Sequence, residues 1–168
     1  IMLDYVEADD VIAYVCEHKK YKGWNKVVVS SDKDFYQLCG NEDVMIWRPI
    51  QKTFINRLVL TNKFGIHPNN FALARAVDGD SSDNLQGVPR VGMKTVAKYF
   101  PFLEESTKIS CDELMTHCFM TTDKKSVHKK LLEFKERVKS NYAIMQLYEP
   151  SISHQGREKI NFALKDFN

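Results

Sequence analysis

Between positions 7 and 21 the apolar residues Val11, Ile12, Tyr14 and Val15 fall at helical spacing, and Gly23 closes the segment. The spacing predicts a helix over 7–21. Lys26-Val27-Val28-Val29-Ser30 follows, a β-branched run with no polar alternation. Such a run predicts a strand buried on both faces, as in a parallel sheet. Residues 33–38 predict a short helix closed by Gly40, and Val44-Met45-Ile46-Trp47 a second strand. Lys52-Thr53-Phe54-Ile55 is expected to pair with it as a small antiparallel addition. A helix over 57–64 is expected next, with Gly65 as its C-cap. From Pro68 onward the pattern is wholly helical, with helices over 69–77, 92–100, 111–119, 124–139 and 142–147. The fold class is therefore α/β: a mostly parallel sheet with flanking helices over 1–66, then a helical region over 67–168.

Composition narrows this picture. Hydrophobic residues make up 43% of the 168 positions, enough for a real core. No apolar run approaches the roughly 20 residues that a membrane span needs. Ile1-Met2-Leu3-Asp4 lacks the basic start and apolar block of a signal peptide, and it reads as the edge of a piece of a longer protein. Cys16, Cys39, Cys111 and Cys118 form no Cys-x-x-Cys pair, which argues against zinc and for reduced thiols in a cytoplasmic protein. The net charge of +2 says little, but its distribution says more. Lys124, Lys125, Lys129, Lys130, Lys135, Arg137 and Lys139 crowd the stretch 124–139 against Glu133 and Glu136. An acidic centre with basic flanks suits a metal-dependent enzyme that acts on a polyanion.

The acidic centre comes in three runs: Glu7-Ala8-Asp9-Asp10, Ser31-Asp32-Lys33-Asp34 and Gly79-Asp80-Ser81-Ser82-Asp83-Asn84. Gathered together, Glu7, Asp9, Asp10, Asp32, Asp34, Asp80 and Asp83 would form a site for hard divalent cations, which take oxygen ligands and need no histidine. Asp32 and Asp34 follow a predicted strand, at the sheet edge where ligands bind in open α/β folds. Asp80 and Asp83, three apart, would face the same way on a helical turn. After the third run, Leu85-Gln86-Gly87-Val88-Pro89-Arg90-Val91-Gly92-Met93-Lys94-Thr95 brackets a short turn with two glycines. Gly87 would let the backbone approach a ligand, and amides at the helix start near Gly92 would suit a phosphate. Lys94 and Lys98 add charge on one face, a sequence-independent grip on a nucleic-acid backbone.

Taken in order, these blocks resemble the 5′-nuclease family, which comprises flap endonucleases, phage 5′–3′ exonucleases and the 5′-nuclease domain of bacterial DNA polymerase I. Glu7-Ala8-Asp9-Asp10-Val11 is similar to the family's Glu-Ala-Asp-Asp block. Ser31-Asp32-Lys33-Asp34-Phe35-Tyr36-Gln37-Leu38 is similar to its Asp-Lys-Asp-x-x-Gln-Leu block. The stretch 79–95 resembles its last metal motif running into a helix-three-turn-helix, here at about 84–100. The likeness is tight over 7–100 and fades beyond Glu104. It implies the C-terminal part of the family's sheet followed by a DNA-binding helical region. It also implies two Mg²⁺ or Mn²⁺ ions held by Glu7, Asp9, Asp32, Asp34 and Asp80, with Asp10 and Asp83 beside them. The reaction itself falls to Glu7, Asp9, Asp34 and Asp80. Gly87, Arg90, Gly92, Lys94, Thr95 and Lys98 would meet the nucleic acid, and K⁺ would sit on carbonyls near Val88 and Val91. The expected partners are DNA with 5′ ends, flaps or RNA–DNA primers, in the cytoplasm of a prokaryotic or phage-infected cell, without a membrane. One departure is large: the family's N-terminal half, with further aspartates and a basic arch, does not precede Glu7 in this sequence. The same protein or a second chain is expected to supply it.

Plainer readings stand beside these. Acidic residues open many helices, Asp32 and Asp34 suit a turn with an N-cap, and Asp80 and Asp83 could cap a helix. Val127, Leu131, Phe134 and Val138 fit a solvated basic face over a core. The rival functions are a non-catalytic DNA-binding module and a Mg²⁺-dependent phosphotransferase or phosphatase.

Overall fold

A computed structural model describes residues 1–166. Helix α1 (Ala8–Cys16) is shorter than its apolar pattern predicts. His18 stops it: the imidazole accepts the Lys20 N–H at 3.2 Å and starts a separate turn over Lys19–Tyr21. Strand β1 (Lys26–Val29) runs parallel to β2 (Val44–Arg48), and β3 (Thr53–Ile55) pairs antiparallel with β2. The sheet order β1-β2-β3 leaves β1 at an edge. The expectation of burial on both faces fails there: Val28 is buried, but Val27 and Val29 are 47% and 65% exposed. Nothing among the described residues covers that second face. With Val11, Ile12 and Val15 of α1 it lines an apolar cavity of 580 Å³.

A 3-10 helix over Asp34–Gly40 joins β1 to β2 and buries Phe35, Tyr36, Leu38 and Cys39. Helix α2 (Arg57–Phe64) is capped by Asn56 and ends at Gly65, whose φ of 64° is left-handed. Helix α3 (Phe71–Asp78) is buried on nearly every side, because α4 (Met93–Tyr99) and α7 (Lys135–Met145) both pack on it. The region after Pro68 is not wholly helical. Strand β4 (Gly79–Asp80) pairs antiparallel with β5 (Leu85–Gln86) between α3 and α4. A capping box of Ser110 and Glu113 opens α5 (Cys111–Met120).

The helix expected over 124–139 is two helices, α6 (Ser126–Glu133) and α7. The break lies at Phe134, whose φ of −101° leaves helical geometry while its ring packs against the core. The separate helix expected over 142–147 merges into α7 instead, since Val138, Asn141 and Met145 bury one continuous face. Helix α8 (His154–Ala163) was not expected. It returns to the N-terminal side, where Ile152, Ile160 and Leu164 pack on Leu3, Val6 and Val11. Phe71 and Leu147 join the core beneath the sheet, and Ile66 joins the core among the helices. All four cysteines are buried and free.

Candidate functional site

The end of β1 sets the first part of the site. Ser30 Oγ accepts the Asp32 N–H at 3.0 Å, and Asp32 Oδ1 accepts the Asp34 N–H at 2.9 Å. This is a side-chain-stapled turn of the kind Asp favours, so the plain reading of Asp32 as a turn residue holds beside the metal reading. Gln37 then locks the turn from below. Its amide donates to the Asp34 carbonyl (2.8 Å) and the Met145 carbonyl (2.9 Å), and its oxygen accepts the Leu147 N–H (2.8 Å). The backbone of Asp34 is thereby tied between the end of β1 and the end of α7.

Asp80 and Asp83 do not share a helical face. Asp80 ends β4, and residues 81–84 form a turn in which Asn84 takes a left-handed φ of 57°. The turn brings both carboxylates to Asp34, and one ligand oxygen from each of Asp34, Asp80 and Asp83 lies within 4.8 Å of the others. Glu7, Asp9 and Asp32 face the same place, lining a cavity of 460 Å³ with Asp34 and Asp83. Asp10 lines no part of it, but its charge acts on Asp9.

The electrostatics follow from this crowding. Burial, helped by Asp32, Asp80 and Asp83 and opposed by Arg75, pushes Asp34 up to about 6. Asp9 is raised by burial and then by Asp32, Glu7, Asp10 and Asp83. Asp80 goes the other way. Burial raises it, but hydrogen bonds from Ser82 and the guanidinium of Arg75 outweigh that and hold it below the carboxylate range. An all-oxygen donor set under mutual repulsion fits Mg²⁺ or Mn²⁺.

Arg75 was missed by pattern reading. It is the lone cation in the apolar run of α3 and only 7% exposed. Its guanidinium donates to Asp80, lies 3.5 Å from Asp34, and reaches the Gly79 carbonyl at 3.4 Å.

The glycine hairpin is built for close packing. A Cβ on Gly87 would lie 2.1 Å from the Asp78 carbonyl oxygen, and one on Gly79 would lie 2.3 Å from the Gly87 nitrogen. Gly87 therefore serves contact between chain segments, which leaves no room for a ligand on that side. The amide at the start of α4 is also engaged: the Met93 N–H donates to the Asp78 carboxylate. Asn141 donates to the carbonyls of Ala76 and Gln86, both at 3.0 Å. Arg137 donates to the Gly87 carbonyl (3.1 Å) and Lys130 to the Pro89 carbonyl (3.0 Å). Two basic residues of 124–139 thus hold the hairpin from behind. Arg90, Lys94 and Lys98 are exposed in front, with Arg90 at a left-handed φ of 63° and Thr95 half-buried beside them.

Known proteins resemble this chain in sequence and in fold. Residues 1–65 match the family model described as "5'-3' exonuclease, N-terminal resolvase-like domain". A 5′–3′ exonuclease of Buchnera aphidicola is 36% identical over 90 residues, which are 54% of this chain and 31% of that protein. The Aquifex aeolicus 5′–3′ exonuclease is 38% identical over 89 residues, 53% of this chain and 30% of that protein. Over residues 1–65, then, the chain is similar to 5′–3′ exonucleases. Among solved structures, zinc-bound T5 5′-exonuclease matches this chain with a TM-score of 0.73 at 19% identity. That match covers 99% of this chain and 60% of the other, and it shows the α/β fold. A T5 flap endonuclease variant, solved as a pseudo-enzyme-product complex with DNA and metal ions, matches with a TM-score of 0.72 at 19% identity, covering 99% of this chain and 60% of that one. The chain spans about a third of the length of the curated exonucleases it matches.

Proposed function

We propose that this chain carries most of the metal site of a structure-specific 5′ nuclease. Its reaction is hydrolysis of phosphodiester bonds in DNA, or in RNA–DNA primers, as 5′–3′ exonuclease or flap endonuclease in replication or repair. One observation carries the reading: two stretches far apart in sequence deliver Asp34, Asp80 and Asp83 to within 4.8 Å of one another, and a third brings Glu7 and Asp9 beside them with Asp32. Those six residues, with Asp10 acting on them by charge, would hold two Mg²⁺ or Mn²⁺ ions. When bound, such ions supply an activated water and stabilise the attacking and leaving oxygens. The chain's own part is to keep the carboxylates ionised and converged, which Arg75, Ser82 and the Gln37 lock do. The T5 complex containing DNA and metal ions supports the same use of this fold.

Residues 1–66 serve as part of the nuclease core and 67–168 as the DNA-binding region. The segment 84–100 works as a helix-three-turn-helix. Its grip is Arg90, Lys94, Thr95 and Lys98, with Gly87 and Gly92 giving the hairpin its shape. K⁺ at Val88 and Val91 would share the hairpin with Lys130 and Arg137, which occupy the neighbouring carbonyls. The open edge of β1, its bare valines and the 580 Å³ apolar cavity support an N-terminal half that adds to this sheet, from the same protein or a second chain. Among the described residues no helix is long and apolar enough to cross a membrane. The setting proposed is the cytoplasm of a prokaryotic or phage-infected cell.

The test is Mg²⁺-dependent cleavage of a 5′-flap duplex by the complete protein. Asp34→Ala and Asp80→Ala should abolish cleavage while DNA binding persists. Continued cleavage by either variant would remove the mechanism. The same assay on this chain, with and without the N-terminal half, separates the nuclease from a DNA-binding module that does not cut.

A further inference from the structure

We infer that Arg75 is a positioning residue that occupies the carboxylate site as an internal counter-cation, holding Asp34 and Asp80 together until a divalent ion takes its place. The inference rests on the metal-binding reading above.

A buried guanidinium is costly unless it is paired. Arg75 sits in α3 among residues that are buried from Phe71 to Val77. Its pairing is incomplete: one nitrogen serves both Asp80 and Asp34, another makes a long contact to Gly79, and Nε is buried without a partner. It grips neither carboxylate with the two-pronged geometry that Arg prefers. The group bridges two carboxylates instead, which is also the geometry a metal ion uses. Competition for the same atoms follows. One oxygen of Asp80 accepts from Arg75 and the other from both the amide and the hydroxyl of Ser82, so both are engaged already. The second oxygen has both lone pairs taken, so a cation binds Asp80 either by displacing Ser82 or at the oxygen it must share with the guanidinium. Ser82 is exposed, and water can replace its bonds. A divalent ion at Asp34 and Asp80 would in addition repel a guanidinium held at the same two groups.

This arrangement makes Arg75 stabilise the metal-free protein more than the metal-bound one. The experiment is a thermal melt of the chain with and without millimolar Mg²⁺ or Mn²⁺, together with Mn²⁺ titration by calorimetry. Wild type is expected to melt higher with metal. If it does not, the metal reading fails and this inference goes with it. With the wild-type shift in hand, Arg75→Met should melt lower without metal and gain more from metal than wild type. Its Mn²⁺ Kd should fall by roughly tenfold, the order expected when a like charge leaves a partly buried site. Arg75→Lys, which keeps the charge but cannot bridge both carboxylates, should lie between. An equal or smaller metal increment in Arg75→Met would sink the inference alone, because a purely structural arginine supports both states equally. Should Arg75→Met not fold, wild type decides through the Arg75 Nε resonance, assigned by its loss in Arg75→Lys. The signal should move in step with Mg²⁺ saturation, and a signal that stays put overturns the inference.

Discussion

A Cβ at position 87 would lie 2.1 Å from a carbonyl oxygen that belongs to the backbone and cannot rotate away. Gly87→Ala should therefore destabilise by about 1 to 3 kcal/mol, the range of overpacked positions, which a denaturant melt would register. His67 is a second place where single atoms decide. Its Nδ1 accepts the Asn69 N–H at 3.1 Å, so that nitrogen must be unprotonated, and its Nε2 is buried without a partner. Burial, then the charge of Arg57, lowers its pKa from 6.5. The unfolded chain thus takes up this proton first. The stability His67 contributes is complete above pH 6.5 and is lost as pH falls through its lowered folded value. His67→Asn, which keeps an acceptor at the cap, should lose less stability than wild type between pH 7 and 5 in parallel urea melts. The carboxylates were legible in the sequence because they come in dense, ordered runs beside turn residues. Arg75 and Asn141 were not, and neither was the role of Gln37, although the residue stands in the second acidic block. Each is a single polar residue in a helical or turn segment, and nothing in its neighbours shows that the side chain points inward to a distant backbone.

At the scale of elements, hydrophobic spacing located the three strands of the larger sheet and most helices, but not how the helices begin and end. Phe134 fits the apolar stripe of its region and packs against the core, yet its backbone leaves helical geometry there. Strand β1 was legible as parallel from its valines, while its exposed face was not, since burial depends on what lies beyond the strand. The β4–β5 pair escaped notice because two-residue strands carry no period. The joint between α7 and this hairpin is Asn141. Asn141→Ala leaves the Ala76 and Gln86 carbonyls without their donor. A loss of about 2 kcal/mol is expected for two such groups. Faster hydrogen exchange should appear at the Val88 amide, which bonds to Val77 at 2.7 Å beside the joint. Unchanged exchange there would mean that α7 does not hold the hairpin.

For the whole molecule, the modest net charge of +2 includes three exposed basic residues of the hairpin and its helix, Arg90, Lys94 and Lys98. DNA affinity should fall steeply with salt, and Lys94→Ala should reduce the slope of log K against log salt by about 1, as one phosphate contact would. Fluorescence anisotropy at several salt concentrations reads this directly. The α/β class and the order of the acidic blocks were visible from sequence. The return of α8 onto α1 was not, because Gly156 and scattered polar residues blur its pattern. The Gln37 lock has a consequence for how such a chain comes into being. Its partners, Met145 and Leu147, lie 108 and 110 residues further along. A ribosome delivers all seven acidic residues long before it delivers the piece that fixes the Asp34 turn. The nascent chain therefore carries all seven carboxylates for a stretch of its synthesis before the turn at Asp34 can be tied down.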